Sequence, residues 1–229
     1  MTFLIIMLSL ATVCSFIWLS FNRDRLNSSL WFLLIVSILH TLFGVLCVKF
    51  FAILEVGFDM SKAGNMSMYG GIFFMPIFYF AYAKLKKLDI GLTFSIFAIS
   101  IVITYFFARM NCLHEGCCYG KEIGSTGYLY PTRELEIMYY FVFLCIFIPR
   151  LLKNKDYKKK KNERSINVYL IFMFSYGIFR FITEFFRYSS SNSIFHIAHL
   201  WSAIAIIVSL VLYIISYKRG NINERKQVK

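Results

Sequence analysis

The residues best equipped for chemistry lie near position 180. In Tyr176-Gly-Ile-Phe-Arg-Phe-Ile-Thr-Glu-Phe-Phe-Arg187 the polar side chains Tyr176, Arg180, Glu184 and Arg187 are spaced by four, four and three, which puts them on one face of a helix. Phe and Ile fill most of the remaining positions, so this is a charged stripe on a segment otherwise suited to lipid. An ionisable group at hydrocarbon depth costs about 3 kcal/mol or more on insertion scales, and persists where it faces a partner, a cavity or a bundle interior. One reading has Arg180 and Glu184 neutralise each other as an i,i+4 pair while Arg187 reaches the interface. The other starts from the charge left over: two Arg stand against one Glu. At headgroup depth the natural counter-ion of that excess is a phosphodiester, which a guanidinium grips with two parallel hydrogen bonds.

A second group of candidates opens at Arg109, in Arg109-Met-Asn-Cys-Leu-His-Glu-Gly-Cys-Cys-Tyr-Gly120. Arg109 closes an apolar run at the same depth as the stripe, and the loop after it is dense in proton donors and acceptors. Gly116 and Gly120 permit a tight turn there, and Gly70-Gly71, just after Tyr69, permit close backbone approach. Cys112, Cys117 and Cys118 with His114 invite a metal or redox reading, but adjacent cysteines suit one tetrahedral ion poorly and no second Cys/His pair lies nearby. No metal is expected, and a disulfide from Cys112 to Cys117 or Cys118 is the better account. His40 reads as a core hydrogen-bonding residue, and His196 and His199 as interfacial.

The elements that must position these side chains are membrane-spanning helices. The 229 residues are 59% hydrophobic, and apolar runs long enough for a bilayer recur at 2–21, 30–54, 70–83, 90–108, 135–148, 166–186 and 197–217. The expected fold is therefore an all-α bundle of about seven transmembrane helices forming a single membrane domain over 1–229. A formal charge of +13 on a soluble protein would suggest nucleic acid. Here 18 of the 25 Lys and Arg fall in alternate loops, including Arg23, Arg25, Lys84, Lys86, Lys87 and the run Lys158 to Lys161. The positive-inside rule then places the N-terminus outside, the C-terminus in the cytoplasm and all the candidate residues on the outer side, and no nucleic-acid partner is expected. The first segment lacks a basic leader and is followed by Arg23 and Arg25, as a retained helix would be.

Four ordered segments resemble the prolipoprotein diacylglyceryl transferase family over roughly Gly64 to Tyr213. Asn65-Met-Ser-Met-Tyr-Gly-Gly71 is similar to the family's G-M-S-F-H-G-G, and Arg109 to Gly120 to its R-I-G-N-F-x-N-G-E-x-x-G. Tyr130-Pro-Thr-Arg-Glu-Leu-Glu136 is similar to H-P-[ST]-Q-L-Y-E, and Tyr176 to Arg187 matches Y-G-x-x-R-x-x-x-E-x-x-R at every marked position. The sequence departs from the family at Tyr69, where the motif has His, at Cys112, where it has Asn, and at Cys117, where it has Glu.

The resemblance implies transfer of the diacylglyceryl unit of phosphatidylglycerol to the lipobox cysteine thiol of a prolipoprotein signal peptide, at the outer leaflet of a bacterial plasma membrane and without a cofactor. It implies that Arg109 and Arg187 hold the lipid phosphate, that Arg180 is oriented by Glu184, and that Tyr69 stands in for the family His beside the thiol. His114 or Glu115 is the alternative base. Competing readings are a divergent member acting on another lipid or acceptor, a membrane thiol-redox or metal protein using Cys112, Cys117 and Cys118, and a lipid-binding scaffold without turnover.

Overall fold

The computed structural model describes residues 2–55, 57–58, 66–153, 167–188 and 195–227. Gly64, Asn65, Lys62, Lys155, Arg164, Lys229 and the run Lys158 to Lys161 lie outside these residues. The described chain is helical: α1 (Thr2–Phe21), α2 (Arg23–Leu26), α3 (Leu30–Glu55), α4 (Tyr69–Lys86), α5 (Ile90–His114), α6 (Thr132–Lys153), α7 (Val168–Glu184) and α8 (Ile197–Gln227). The seven long helices follow the seven apolar runs, while α2 is a single polar turn that hydropathy does not mark.

Local signals set several boundaries. The Asp89 carboxylate accepts from the Leu92 amide at 2.8 Å and caps α5, and the Asn167 side chain caps α7 through the Tyr169 amide at 3.1 Å. Lys87, at φ 52°, ends α4 in the left-handed region. The fifth helix runs past the apolar stretch that ended at Ala108, because Met110 to His114 are compatible with helix and the chain turns only at Gly116.

Contacts between helix ends show strict alternation. The Phe3 ring stacks on His114 with centroids 4.0 Å apart, so α1 starts beside the end of α5. At the opposite end, Arg25 donates to the Leu151 carbonyl at 2.8 Å, Ser28 and Tyr82 share a hydrogen bond of 2.9 Å, and the Val168 amide donates to Ser95 at 3.1 Å. The starts of α4, α6 and α8 and the ends of α3, α5 and α7 therefore share one end of the bundle. Every candidate residue belongs to that end, as the alternation of apolar runs requires.

The fifth helix is the central post, packed against α1, α4, α6 and α7. Around it the core is aromatic, with Tyr79, Phe97, Tyr140, Tyr169, Phe172 and Tyr176 fully buried. Buried tyrosines need hydrogen-bond partners, and one is supplied by a proline. Pro76 inside α4 has no N–H to offer the carbonyl four residues back, that of Ile72, and the Tyr169 hydroxyl donates to this oxygen instead. The outer surface is the reverse of a soluble protein's: Ile5, Ile6, Leu42, Leu46, Ile207 and Val211 are exposed. Five of the helices are long and apolar enough to cross a membrane, with α4 and α7 packed among them. This is a multi-pass membrane protein.

Candidate functional site

Three helix ends deliver the charged residues to one place. Arg109 comes from the last turns of α5, Glu136 from the start of α6, and Arg180 and Glu184 from the end of α7. The Glu136 carboxylate divides itself between two arginines, one oxygen on Arg109 Nε and the other on Arg180 Nη1. Arg180 Nη2 lies 3.0 Å from Glu184, and Arg187 Nη1 lies 3.9 Å from the same Glu184 oxygen. The result is a continuous ionic chain, Arg109–Glu136–Arg180–Glu184–Arg187. Its first four members are 2–7% exposed, and the Arg187 side chain, at 19%, is its open end.

Desolvated charges of this kind persist when each has a partner in good geometry. Three guanidinium groups meet two carboxylates within the ionic chain, with Arg187 at the accessible margin. Glu55, at the end of α3, and Tyr69 are within electrostatic range of Arg180 and Glu184 and close the surroundings from α3 and α4. The pairing of Arg180 with Glu184 agrees with the sequence expectation. Glu136 is the member of this ionic chain that the sequence does not single out, although it ends the third motif segment. Arg109 is thereby held by a carboxylate.

The loop between α5 and α6 is fastened to the end of α7 by its backbone. Lys121 N donates to Phe186 O at 2.8 Å and Tyr188 N donates to Tyr119 O at 3.1 Å, an antiparallel bridge of Gly120 with Arg187. A Cβ on Gly120 would strike the Tyr130 carbonyl and side chain, so this position demands glycine. Gly70 is equally confined, against Cys47 and Phe51 of α3, and Gly71 leaves room for the Tyr105 hydroxyl, which donates to Met68 O. Gly116, at φ 66°, turns the chain out of α5.

Tyr69 is buried, with its hydroxyl hydrogen-bonded to Ser202 and within 3.3 Å of the Ala198 carbonyl, both on α8. Its ring meets Tyr176 edge-on at 6.0 Å. His114 and Glu115, the alternative bases, have side chains 57% and 45% exposed and sit 4.0 Å apart. His40 is a core residue as expected, its Nε2 3.2 Å from the Tyr79 hydroxyl. His199, expected at the interface, is instead 3% exposed. Its Nδ1 accepts from the His196 amide at 3.1 Å, its Nε2 has no hydrogen-bond partner among the described residues, and Glu184 and Arg180 lie within its electrostatic range.

The cysteines of the loop converge. The sulfurs of Cys112, Cys117 and Cys118 all lie within 4.8 Å of one another as free thiols, and no disulfide joins them. The adjacency of Cys117 and Cys118 suits a shared target poorly, and the sequence favours a disulfide from Cys112. The left-handed φ of 59° at Cys118 takes the chain out of the extended form in which neighbouring side chains diverge. A hydrogen bond from Cys112, aided by the Arg109 charge, holds the Cys118 thiol down at about 5, whereas burial pushes Cys117 up.

At the same end of the bundle, α1, α3, α4 and α5 border a small apolar groove with a cavity of about 50 Å³. Leu4, Leu8, Val48, Met75, Ile101 and Ala108 are among its walls, and Gly71 and Tyr105 border it.

A sequence profile of the prolipoprotein diacylglyceryl transferase family matches residues 2–215. The chain belongs to this family. Among curated relatives, the phosphatidylglycerol–prolipoprotein diacylglyceryl transferase of Clostridium tetani is 27% identical over 134 residues, covering 52% of this chain and 51% of the relative. The transferase of the same name from Rickettsia bellii is 30% identical over 135 residues, 54% of this chain and 49% of its own length. That of Desulfotalea psychrophila is 26% identical over 146 residues, 60% and 54%. The chain spans about half the length of the curated relatives it matches. It keeps the Arg that opens the second motif segment, the Glu that ends the third and the Arg, Glu and Arg of the fourth, and the geometry joins these five in one ionic chain, while Cys117 stands where the second segment has Glu.

Proposed function

We propose that this protein transfers the diacylglyceryl group of phosphatidylglycerol to the lipobox cysteine thiol of a prolipoprotein signal peptide, at the outer leaflet of a bacterial plasma membrane. The observation that carries the reading is the buried ionic chain Arg109–Glu136–Arg180–Glu184–Arg187, gathered at one end of an apolar helical bundle. The distribution of Lys and Arg along the chain supports the orientation, with the starts of α4, α6 and α8 facing outward.

In this reaction the thiol sulfur attacks the glycerol carbon that carries the phosphate. The carbon–sulfur bond forms as the carbon–oxygen bond breaks, glycerol phosphate leaves with the bonding electrons, and the thiol proton passes to water. A free thiol has a pKa of about 8.5 and attacks as thiolate, so a field of fixed positive charge serves both nucleophile and leaving group. Arg109 and Arg187 hold the phosphate. Arg180 is the hub, fixed by Glu136 and Glu184 so that its orientation is set before substrate arrives. Tyr69 takes the place of the motif His as a hydrogen-bonding group near the thiol, its hydroxyl fixed by α8.

The test is reconstitution of the purified protein in phosphatidylglycerol vesicles with a lipobox peptide, read by mass spectrometry. The expected product is the thioether-linked diacylglyceryl peptide. A peptide left unmodified, or one carrying a different lipid group, refutes the assignment. Within that assay Tyr69→Phe is expected to slow transfer by about tenfold or more, the range of a single positioned hydrogen bond in an active site. An unchanged rate in Tyr69→Phe removes the hydroxyl from the mechanism and leaves the arginine assignments standing.

A further inference from the structure

We propose that Cys112, Cys117 and Cys118 form a three-thiolate site for a soft divalent cation, with Zn²⁺ as its probe, distinct from the lipid-transfer chemistry. The sulfurs already lie within 4.8 Å of one another. A common ion with metal–sulfur bonds of about 2.3 Å in tetrahedral geometry sets sulfurs about 3.8 Å apart, so a closure of roughly 1 Å completes the set. Side-chain rotation alone supplies a movement of that size.

The backbone has brought the three groups together. Cys112 occupies the last turn of α5, and both the amide and the thiol of Cys117 turn back onto its carbonyl, at 3.2 and 3.7 Å. The left-handed conformation of Cys118 aims its sulfur at the same point, and Thr132 at the start of α6 donates to the Cys118 carbonyl at 3.3 Å. The cluster is thus pinned between α5 and α6. Cys117 is exposed and the other two partly so, which gives an ion a path in and leaves a fourth position toward solvent.

Electrostatics favour a filled site. Three thiolates on a dication leave one negative charge, and Arg109 Nη1 lies 3.7 Å from the Cys112 sulfur to offset it. The same guanidinium carries the Glu136 pair through its Nε, so a bound ion would brace Arg109 from the side opposite the ionic chain.

The experiment uses the full-length protein in detergent, reduced and then freed of reductant, with Zn²⁺ added and excess ion removed by gel filtration. Elemental analysis is expected to find one Zn²⁺ per chain, and none in the Cys112→Ser/Cys117→Ser/Cys118→Ser variant, whose Cys14, Cys47 and Cys145 remain. Equal zinc in both, or none in the wild type, overturns the proposal. The wild type alone gives a second reading: Zn²⁺ should slow alkylation of Cys112, Cys117 and Cys118 together by at least tenfold, measured peptide by peptide. Unchanged alkylation at these positions overturns it as well. Neither readout depends on transferase activity, so the two assignments stand or fall separately.

Discussion

Replacing Glu136 by Gln is expected to abolish transfer and to lower stability in detergent by about 3–5 kcal/mol, the range for removing one partner of a buried ion pair. The carboxylate has an oxygen on each of two buried arginines. Gln is nearly the same size but neutral, and its amide NH₂ would face a guanidinium, donor against donor. Arg109 and Arg180 would both lose a counter-charge at 5% and 6% exposure. Glu134, two residues earlier with a side chain 45% exposed, is the control: Glu134→Gln should change stability by less than about 0.5 kcal/mol. Thermal melting in detergent beside the vesicle transfer assay separates the two variants. A Glu136→Gln protein that melts and turns over like wild type would show that the bridge between the arginines is dispensable.

Arg180→Ala should have the opposite balance, a total loss of transfer with a smaller loss of stability. Its removal leaves Glu136 still paired with Arg109, and Glu184 still near Arg187 at 3.9 Å, so no carboxylate is abandoned. The phosphate field, however, loses its central charge, an effect of about 10²–10³-fold or more on the rate in preorganised sites. Arg180→Lys should not restore it. The native side chain addresses Glu136 on α6 through Nη1 and Glu184 on its own helix through Nη2, a fork that a single ammonium does not reproduce. The measurement is thioether formation per unit of membrane-inserted protein, and wild-type turnover in Arg180→Ala would remove this residue from the site.

Much of the architecture was legible because lipid imposes a simple code. Apolar runs mark helices, basic loops alternate, and caps such as Asp89 and Asn167 stand where the runs begin. The stripe from Tyr176 to Arg187 was readable for the same reason, since a charge on an apolar helix has to be explained. Glu136 was not readable in this way. An acidic residue near the start of a helix is ordinary, and nothing in its spacing reports that it meets Arg109, 27 positions earlier, and Arg180, 44 positions later. The cysteine cluster was hidden by a single backbone angle, because adjacency argues for divergence until the left-handed turn at Cys118 is seen. His199 was hidden by position: the start of a membrane helix suggests an interface, while packing against Phe181 and Phe185 buries it.

The brevity of α7 bears on where the lipid must be met. Seventeen residues rise about 25 Å, less than the ~30 Å thickness of a bilayer's hydrocarbon layer. Under the proposed function, a helix this short, ending where Glu184 and Arg187 stand, would set the phosphate-holding arginines below the bilayer surface, in a dimple of the membrane. A lipid sliding in sideways would drop its phosphate into that dimple, and the bond to be cut would stay screened from bulk water, which is the competing nucleophile.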